Sequence, residues 1–284
     1  MNILTIAALL PPLVLLVLIW RVDKMEKEPA SLIVKALVLG AASGLVASVV
    51  ESVLSIPIEA AFGTSGLTYY AVDTFVGVAL VEEGVKYLVV MWIVWRHAEF
   101  NCRFDGVVYA AAASLGFAML ENVMYVFTMG GLETALLRAF TAIPGHTIFG
   151  VFMGMFVGQA KYCKHAGKES AVAPLLVLAL VVPIAFHGFY DFLAFASEEA
   201  DWASVAFFPY LLVSALLACI LVVRFAKNDV YIPGLEPQGA PAGVPLAYIK
   251  QTPDLAERRF GTGAGTTQTG KRGERGAGIP RIPR

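Results

Sequence analysis

Charged residues are scarce in this 284-residue chain, since they make up 15% of it, whereas hydrophobic residues make up 58%. A soluble domain normally carries about 25% charged residues. So large an excess of apolar residues needs lipid as its solvent, which excludes an ordinary soluble globular fold. The net charge of −1 and the lack of a basic patch interleaved with aromatic residues give no sign of nucleic acid binding.

Cysteine is rare as well, and the three cysteines lie far apart, at Cys102, Cys163 and Cys219. They form neither a Cys-x-x-Cys pair nor a Cys-x-His pair, so the sequence predicts no disulfide framework and no thiolate metal site. A His-Glu-x-x-His motif is also absent, so no single helix presents the usual zinc-protease spacing. Residues 1–20 lack a basic start and an Ala-x-Ala cleavage site, and we interpret them as a retained membrane span.

Long apolar runs, by contrast, are abundant. They predict an all-α fold, a polytopic transmembrane helix bundle with about seven spans. The spans fall at roughly 1–20, 30–54, 71–95, 104–128, 137–160, 171–196 and 202–225. We treat 1–227 as one transmembrane bundle, with a motif-bearing core at about 71–196.

The loops between these spans alternate in their content of lysine and arginine. Basic residues follow the first, third, fifth and seventh spans, whereas the loops 55–70, 129–136 and 197–201 carry none. By the positive-inside rule, this alternation predicts an N-terminus outside the cell and a cytoplasmic C-terminus. We therefore expect a multi-pass protein of the cell membrane.

Residues 228–284 differ from the rest in composition, because glycine, proline, threonine and arginine replace the apolar residues. The last 35 residues contain eight Lys/Arg against three Asp/Glu and no apolar period. This composition predicts a disordered cytoplasmic tail. Its basic excess leaves two interpretations open, contact with anionic membrane lipid or a dispensable solvated tail.

Seven of the polar residues within the apolar spans are the candidate site residues. They are Glu82, Glu83 and Lys86 in the third span, Glu121 in the fourth, His146 in the fifth, and His187 and Asp191 in the sixth. A charge at the bilayer centre costs on the order of 3 kcal/mol, so such residues must face protein or trapped water. Counted at ~1.5 Å per residue, the carboxylates and histidines of the four spans fall at a similar depth, in the outer half of the membrane.

Local spacing leaves the individual roles open. Glu83 and Lys86 are three residues apart and suit an internal ion pair, but Glu82 can also pair with Lys86 at a spacing of four. Glu82 and Glu83 are rotated by about 100° from each other, so we expect that they do not reach the same atom. His187 and Asp191 lie four residues apart on one face, which suits an imidazole ring oriented by a carboxylate.

Two carboxylates and two histidines at one depth supply the groups that bind a divalent metal or activate water by general base catalysis. Water activation in a lipid-shielded pocket indicates hydrolysis of a bond in or near the membrane. Buried Glu, His and Asp also form proton relays, so a proton-coupled transporter is the alternative. Against the transporter stand the lack of an inverted repeat in the sequence and the clustering at a single depth.

Four short motifs occur in order along about residues 75–195. They are Glu82-Glu83-Gly-Val-Lys86, Gly116-Phe-Ala-Met-Leu-Glu121-Asn, Pro144-Gly145-His146 and His187-Gly-Phe-Tyr-Asp191. The set resembles the PrsW family of bacterial intramembrane proteases, which are related to the CAAX prenyl endopeptidases. The resemblance implies a bacterial plasma-membrane enzyme and site-1 cleavage of a single-pass membrane protein, such as an anti-sigma factor, on its extracytoplasmic side.

Two mechanisms use these motif residues, and both stay open at this point. In a metal-dependent version, a zinc ion is held by His146, His187 and Glu121. Glu82 then accepts the proton of the attacking water, and Asp191 orients His187. In a metal-free version, Glu82 and Glu121 activate the water, while His187 and Asp191 stabilise the oxyanion.

Overall fold

The computed structural model describes residues 3–236 and residue 244, and this part of the chain is almost entirely helical, as predicted. The α-helices are α1 (Ile3–Val22), α2 (Ala30–Phe62), α3 (Leu67–Val72), α4 (Leu80–Ile93), α5 (Asp105–Tyr125), α6 (Gly131–Phe140), α7 (Ala142–His165), α8 (Glu169–Ala196) and α9 (Asp201–Lys227). Two π-helical segments, Asp73–Ala79 and Val126–Gly130, connect α3 to α4 and α5 to α6.

Five helical stretches of the described chain are long and apolar enough to cross a membrane. They are Ile3–Val22, Ala30–Phe62, Asp105–His165, Glu169–Ala196 and Asp201–Lys227. The stretch Asp105–His165 includes both α5 and α7. Large aliphatic side chains such as Val49 on α2 and Val205 on α9 are exposed on the outer surface. That surface suits contact with lipid rather than water.

Helix α5 lies at the centre of the bundle and packs against α1, α2 and α7. Its alanine-rich stretch 110–113 is fully buried, and such small side chains let neighbouring backbones approach closely. A Cβ atom added at Gly40 of α2 would lie 2.0 Å from the carbonyl oxygen of Ala113. One added at Gly154 of α7 would lie 2.3 Å from the carbonyl oxygen of Gly106. Glycine is therefore required at both helix crossings.

We expect Gly40→Ala to destabilise the bundle by about 1–3 kcal/mol, because the added methyl group has to push α2 away from α5. Gly84→Ala is the matched control, since a Cβ atom at that helical position would have no atom within 4 Å apart from its chain neighbours and the backbone of its own helix. That control gains up to about 1 kcal/mol from better helix propensity. Thermal unfolding in detergent checks both variants, and equal loss of stability in the two would contradict the close α2–α5 crossing.

The loops that carry lysine and arginine gather at one end of the bundle, which is called the basic end below. Arg103, before α5, donates hydrogen bonds to Gln159 on α7 and to the carbonyl oxygen of Asn228 after α9. Lys161 Nζ, on α7, donates to the carbonyl oxygen of His97 at 3.3 Å. Loops predicted to share one side of the membrane thus meet, while the assignment of that side to the cytoplasm stays a prediction.

The predicted start of the fifth span, at residue 137, differs from the structure. Residues 131–140 form the separate short helix α6, and α7 begins only at Ala142. Gly131 has a positive φ of 64°, so the chain turns there before α6. Pro144 lies in the first turn of α7, where its missing N–H is tolerated, and this favours a new helix start over a continuous helix.

The predicted boundary of the tail, after residue 227, also differs. Residues 229–232 are buried, and Ile232 N donates a hydrogen bond to the carbonyl oxygen of Asn101 at 2.7 Å. Tyr231 forms an isolated antiparallel bridge with Cys102. The folded part therefore extends beyond α9, because this apolar segment covers the start of α5. Residues 237–243 and 245–284 of the predicted tail lie outside the described residues.

Candidate active site

The seven predicted site residues converge from four helices. Helix α4 supplies Glu82, Glu83 and Lys86, α5 supplies Glu121, α7 supplies His146, and α8 supplies His187 and Asp191. The site lies in the half of the bundle away from the basic end. Glu121 is about 24 Å along α5 from its basic-end start, at ~1.5 Å per residue, and His146 lies just after the first turn of α7 at the opposite end.

Lys86 connects the α4 carboxylates to α7. Its fully buried Nζ donates to Glu82 Oε2 at 2.9 Å, to Glu83 Oε1 at 2.8 Å and to His146 Nδ1 at 3.0 Å. The expectation that Glu82 and Glu83 cannot reach the same atom is wrong. Lys86 lies four and three residues beyond them, so its long side chain reaches a point between the two carboxylates. One ammonium group thereby contacts both acids and one histidine.

His146 has a defined orientation in this arrangement. An ammonium group carries only donors, so Nδ1 of His146 accepts from Lys86. The other ring nitrogen, Nε2, then donates to Glu121 Oε2 at 2.8 Å. Phe117 and Phe149 flank the ring, with centroids at 5.8 and 5.9 Å. Nε2 of His146 consequently faces Glu121.

His187 is held in a comparable way from α8. Its Nδ1 donates to Glu83 Oε1 at 2.9 Å, while Nε2 lies 3.1 Å from Asp191 Oδ2 and 3.8 Å from Glu82 Oε2. The predicted contact between His187 and Asp191 is confirmed. Phe149 stacks on the His187 ring at 4.7 Å, and the two histidine rings lie 5.4 Å apart. Nδ1 of each histidine is thus tied to the Glu83–Lys86 ion pair.

A cavity of about 500 Å³ adjoins this cluster, and it is called the site cavity below. Five of the seven predicted residues line it, namely Glu82, Glu121, His146, His187 and Asp191. Glu83 and Lys86 are not among the lining residues, so they lie behind the histidines. The site cavity is large enough for several water molecules and polar enough to hold them.

Sequence reasoning missed two polar residues of the site cavity. Arg138 of α6 lies 2.8 Å from Glu121 Oε2, and its Nε donates to Asn122 Oδ1 at 3.0 Å. Glu51 of α2 is half-buried and lines the site cavity too. A signal for Arg138 was present, because it is the one basic residue between Arg103 and Lys161 and lies where loops otherwise lack lysine and arginine.

The donor chemistry of the site fits a metal ion. Ligand atoms of Glu82, Glu83 and His146 lie within 4.8 Å of one another. Lys86 Nζ contacts an atom of each of these three residues at 3.0 Å or less. The ammonium group of Lys86 therefore already supplies a positive charge to this group of ligand atoms. On the side of the site cavity, histidine nitrogens and carboxylates offer the ligand types that zinc prefers. The ligand set His146, His187 and Glu121 stays a prediction.

Fold and site together define an apolar helical bundle with an acid–base centre buried inside it. A family model described as "PrsW family intramembrane metalloprotease" matches residues 28–221. The chain therefore belongs to the PrsW family of intramembrane proteases and is a multi-pass cell-membrane protein. This confirms the resemblance drawn from the four motifs.

Several curated relatives, each named protease PrsW, agree with that assignment. The relative from Oceanobacillus iheyensis is 32% identical over 226 residues, which cover 79% of this chain and 96% of that protein. Those from Geobacillus kaustophilus and Bacillus subtilis are 35% and 30% identical, and the alignments cover 68% and 72% of this chain and 80% and 88% of theirs. No solved structure matches the chain.

Proposed function

We propose that this protease cleaves a single-pass membrane protein, of the anti-sigma-factor type, at a peptide bond near its extracytoplasmic face. The supporting observation is the site cavity, where acid–base residues of four helices meet inside an apolar bundle. Ionisable side chains are costly to bury in lipid, so within membrane spans they usually face a water-filled cavity and mark a functional site. A hydrolase needs both the water and the groups that activate it.

We also propose seven spans, with the N-terminus outside and the C-terminus in the cytoplasm. Helices α5 and α7, of 21 and 24 residues, are each long enough to span by themselves. Residues 67–93 run through α3, the π-helical segment and α4, a length of about 40 Å at ~1.5 Å per residue. In this topology the basic end is cytoplasmic and the site cavity lies in the extracytoplasmic half.

Glu82 is the general base in this proposal. It lines the site cavity, and its Oε2 also contacts Lys86 and lies 3.8 Å from His187 Nε2. A carboxylate in that position accepts a proton from water held between the two histidines. Glu121 is directed toward the same space by His146 and Arg138, at 2.8 Å from each.

The proposed cofactor is a zinc ion held by His146, His187 and Glu121, which when bound supplies Lewis-acid activation of water. Glu83 and Lys86 engage Nδ1 of His187 and of His146, so Nε2 of each ring is directed to the site cavity. Glu83 fixes the tautomer of His187 as carboxylates behind metal ligands commonly do, because it accepts the Nδ1 proton and leaves Nε2 free to bind metal. Glu83 therefore takes the orienting role that the sequence suggested for Asp191, which lies on the Nε2 side. Lys86 donates to Nδ1 of His146, so binding of zinc at Nε2 of that ring would require the Nε2 proton to leave and the Lys86 contact to break.

A second cavity, of about 410 Å³, suggests where the substrate enters. It shares Tyr125, Arg138, Ala142, Tyr190 and Ala194 with the site cavity and extends toward α6 and α9. Its lining is mostly apolar and aromatic, which suits an unwound segment of a transmembrane substrate. Co-reconstitution of the full chain with a single-pass reporter in liposomes, followed by mass spectrometry of the fragments, tests this. A cut in the cytoplasmic half of the reporter would contradict the proposed geometry.

We expect Arg138→Gln to lower cleavage about 10- to 100-fold, because it removes a charge-assisted contact that positions Glu121. Arg96→Gln, an exposed arginine at the basic end, is the matched control and keeps full activity. The rate of fragment release at equal folded protein checks both variants. Unchanged cleavage in Arg138→Gln would remove Arg138 from the site.

A further inference from the structure

A second cluster of acidic residues lies at the basic end, far from the site cavity. Asp23 and Glu28 belong to the loop between α1 and α2, and Asp105 begins α5. One carboxylate oxygen of each lies within 4.8 Å of the others. The exposed fractions of these residues are 1%, 4% and 0%, so water does not solvate the carboxylates.

The polar contacts of these carboxylates leave oxygens without a partner. Asp105 Oδ2 accepts hydrogen bonds from the backbone N–H groups of Asn101 and Cys102, at 2.9 and 2.6 Å, and Asp23 Oδ1 accepts one from Met25 N at 3.2 Å. Glu28 Oε2 accepts one from the Tyr109 hydroxyl. Asp105 Oδ1 and Asp23 Oδ2 are buried and have no hydrogen-bond partner within the described residues.

No side-chain cation forms a direct ion pair with the three acids in the described part of the chain, and the charges of Lys27 and Lys161 act on them only from a distance. None of the ion pairs formed there within 4.0 Å includes Asp23, Glu28 or Asp105. Lys27, which precedes Glu28 in the sequence, donates to the backbone carbonyl oxygens of Trp20 and Asp23 rather than to a carboxylate. Buried charges without a partner are strongly unfavourable, so this cluster needs a positive charge from solution.

We propose that Asp23, Glu28 and Asp105 bind a hard divalent cation, Ca²⁺ or Mg²⁺, which fastens the α1–α2 loop to the start of α5. The ligands are all oxygens, as these two ions prefer, with no nitrogen or sulfur donor to favour zinc. Ca²⁺ takes oxygens at about 2.4 Å, so ligands on opposite sides of the ion are about 4.8 Å apart. The spacing of the three oxygens agrees with that limit.

The ion would hold together several segments of the basic end. Asp229, after α9, accepts a hydrogen bond from Phe104 N at 2.8 Å, next to Asp105. The Asp105 carboxylate itself holds the loop before α5 through Asn101 and Cys102. Binding of the cation to the cluster would therefore stabilise the basic end of the bundle. The bound cation would not contact the site cavity.

Protons are the competing occupant of this cluster. Burial raises the pKa of the Asp23 carboxyl to about 6 and that of Glu28 to about 8. Without a cation, shared protons would lower the charge of the cluster. The two occupants differ in an observable way, because only the cation makes stability depend on the concentration of Ca²⁺ or Mg²⁺ at constant pH.

The test uses the full chain in detergent at pH 7.5 as the His146→Ala/His187→Ala variant, so that the proposed metal ligands of the site cavity are removed. We expect 1 mM CaCl₂ or MgCl₂ to raise its unfolding temperature by about 5 °C over 1 mM EDTA. Asp105→Asn in the same background should lose this rise, whereas Glu99→Gln, an exposed acid of the neighbouring loop, should keep it.

No rise with either ion would overturn the proposal and leave protons as the occupant. A full rise retained in Asp105→Asn would also overturn it, since the ion would then bind elsewhere. If Asp105→Asn does not fold, Glu28→Gln replaces it, and elemental analysis of the folded background protein after equilibration with Ca²⁺ or Mg²⁺ should give about one bound ion per chain. Absence of bound ion there would reject the site, whatever the result for cleavage.

Discussion

Lys86→Ala is expected to destabilise the folded protein by about 3–5 kcal/mol, the largest loss of stability for any single change at the site. Lys86 is fully buried, and its Nζ contacts Glu82, Glu83 and His146 at 3.0 Å or less. Removing the ammonium group leaves two buried carboxylates without their counterion. The measurement is the folded yield and the unfolding temperature of the detergent-purified protein.

Two further variants separate this effect from a general loss of charge. Lys24→Ala removes an exposed lysine and should leave the unfolding temperature unchanged. Lys86→Ala/Glu83→Gln removes one of the stranded charges and should recover part of the lost stability. Normal stability in Lys86→Ala together with no cleavage would contradict the structural role and make Lys86 a participant in the reaction.

Glu82→Gln is expected to reduce cleavage by about 10²- to 10⁴-fold while leaving membrane insertion and folded yield intact. The amide keeps the size of the side chain and its oxygen acceptor for Lys86, but it cannot accept a proton from water. Glu59→Gln, an exposed carboxylate on α2, is the matched control with full activity. Fragment release from a reconstituted single-pass reporter measures both.

A folded Glu82→Gln variant that cleaves at the wild-type rate would show that Glu82 is not the general base. Asp191 and Glu121, which line the same site cavity, would then be the candidates. A variant that loses folded yield as well would indicate that the Glu82–Lys86 contact, at 2.9 Å, is chiefly structural.

The features that sequence reasoning predicted well depend on strong local chemistry. Glu82, Glu83 and Lys86 are conspicuous in an apolar run because burying them needs partners, and the structure supplies those partners from α7 and α8. The contact of His187 with Asp191 follows from a helical spacing of four residues. Such signals are local and need no knowledge of how the helices pack.

What sequence reasoning missed depends on tertiary contacts. From the sequence, residues 131–136 were assigned to a loop and residues 137–140 to the fifth span, because hydropathy does not separate a short helix from the start of a longer one. Arg138 therefore went unnoticed, although it contacts Glu121 at 2.8 Å. The burial of residues 229–232 likewise depends on hydrogen bonds to the loop before α5, which lies far away in sequence.

The roles of Glu83 and Asp191 show the same limit. Spacing suggested that Asp191 orients His187, but Nδ1 of that ring is bonded to Glu83, a residue on another helix. Only the packing of α4 against α8 reveals that contact. The sequence indicates which residues belong to the site, whereas the role of each residue can be assigned only from the structure.

A zinc ion held at the site cavity by two histidines from separate helices, His146 and His187, is the central proposal for this protein. Its most direct test is the metal content of detergent-purified protein, measured by mass spectrometry for the wild type and the His146→Ala/His187→Ala variant. We expect about one zinc ion per wild-type chain and none in the variant. A folded, cleavage-competent wild type without bound metal would contradict the claim and leave Glu82 and Glu121 as the groups that activate water.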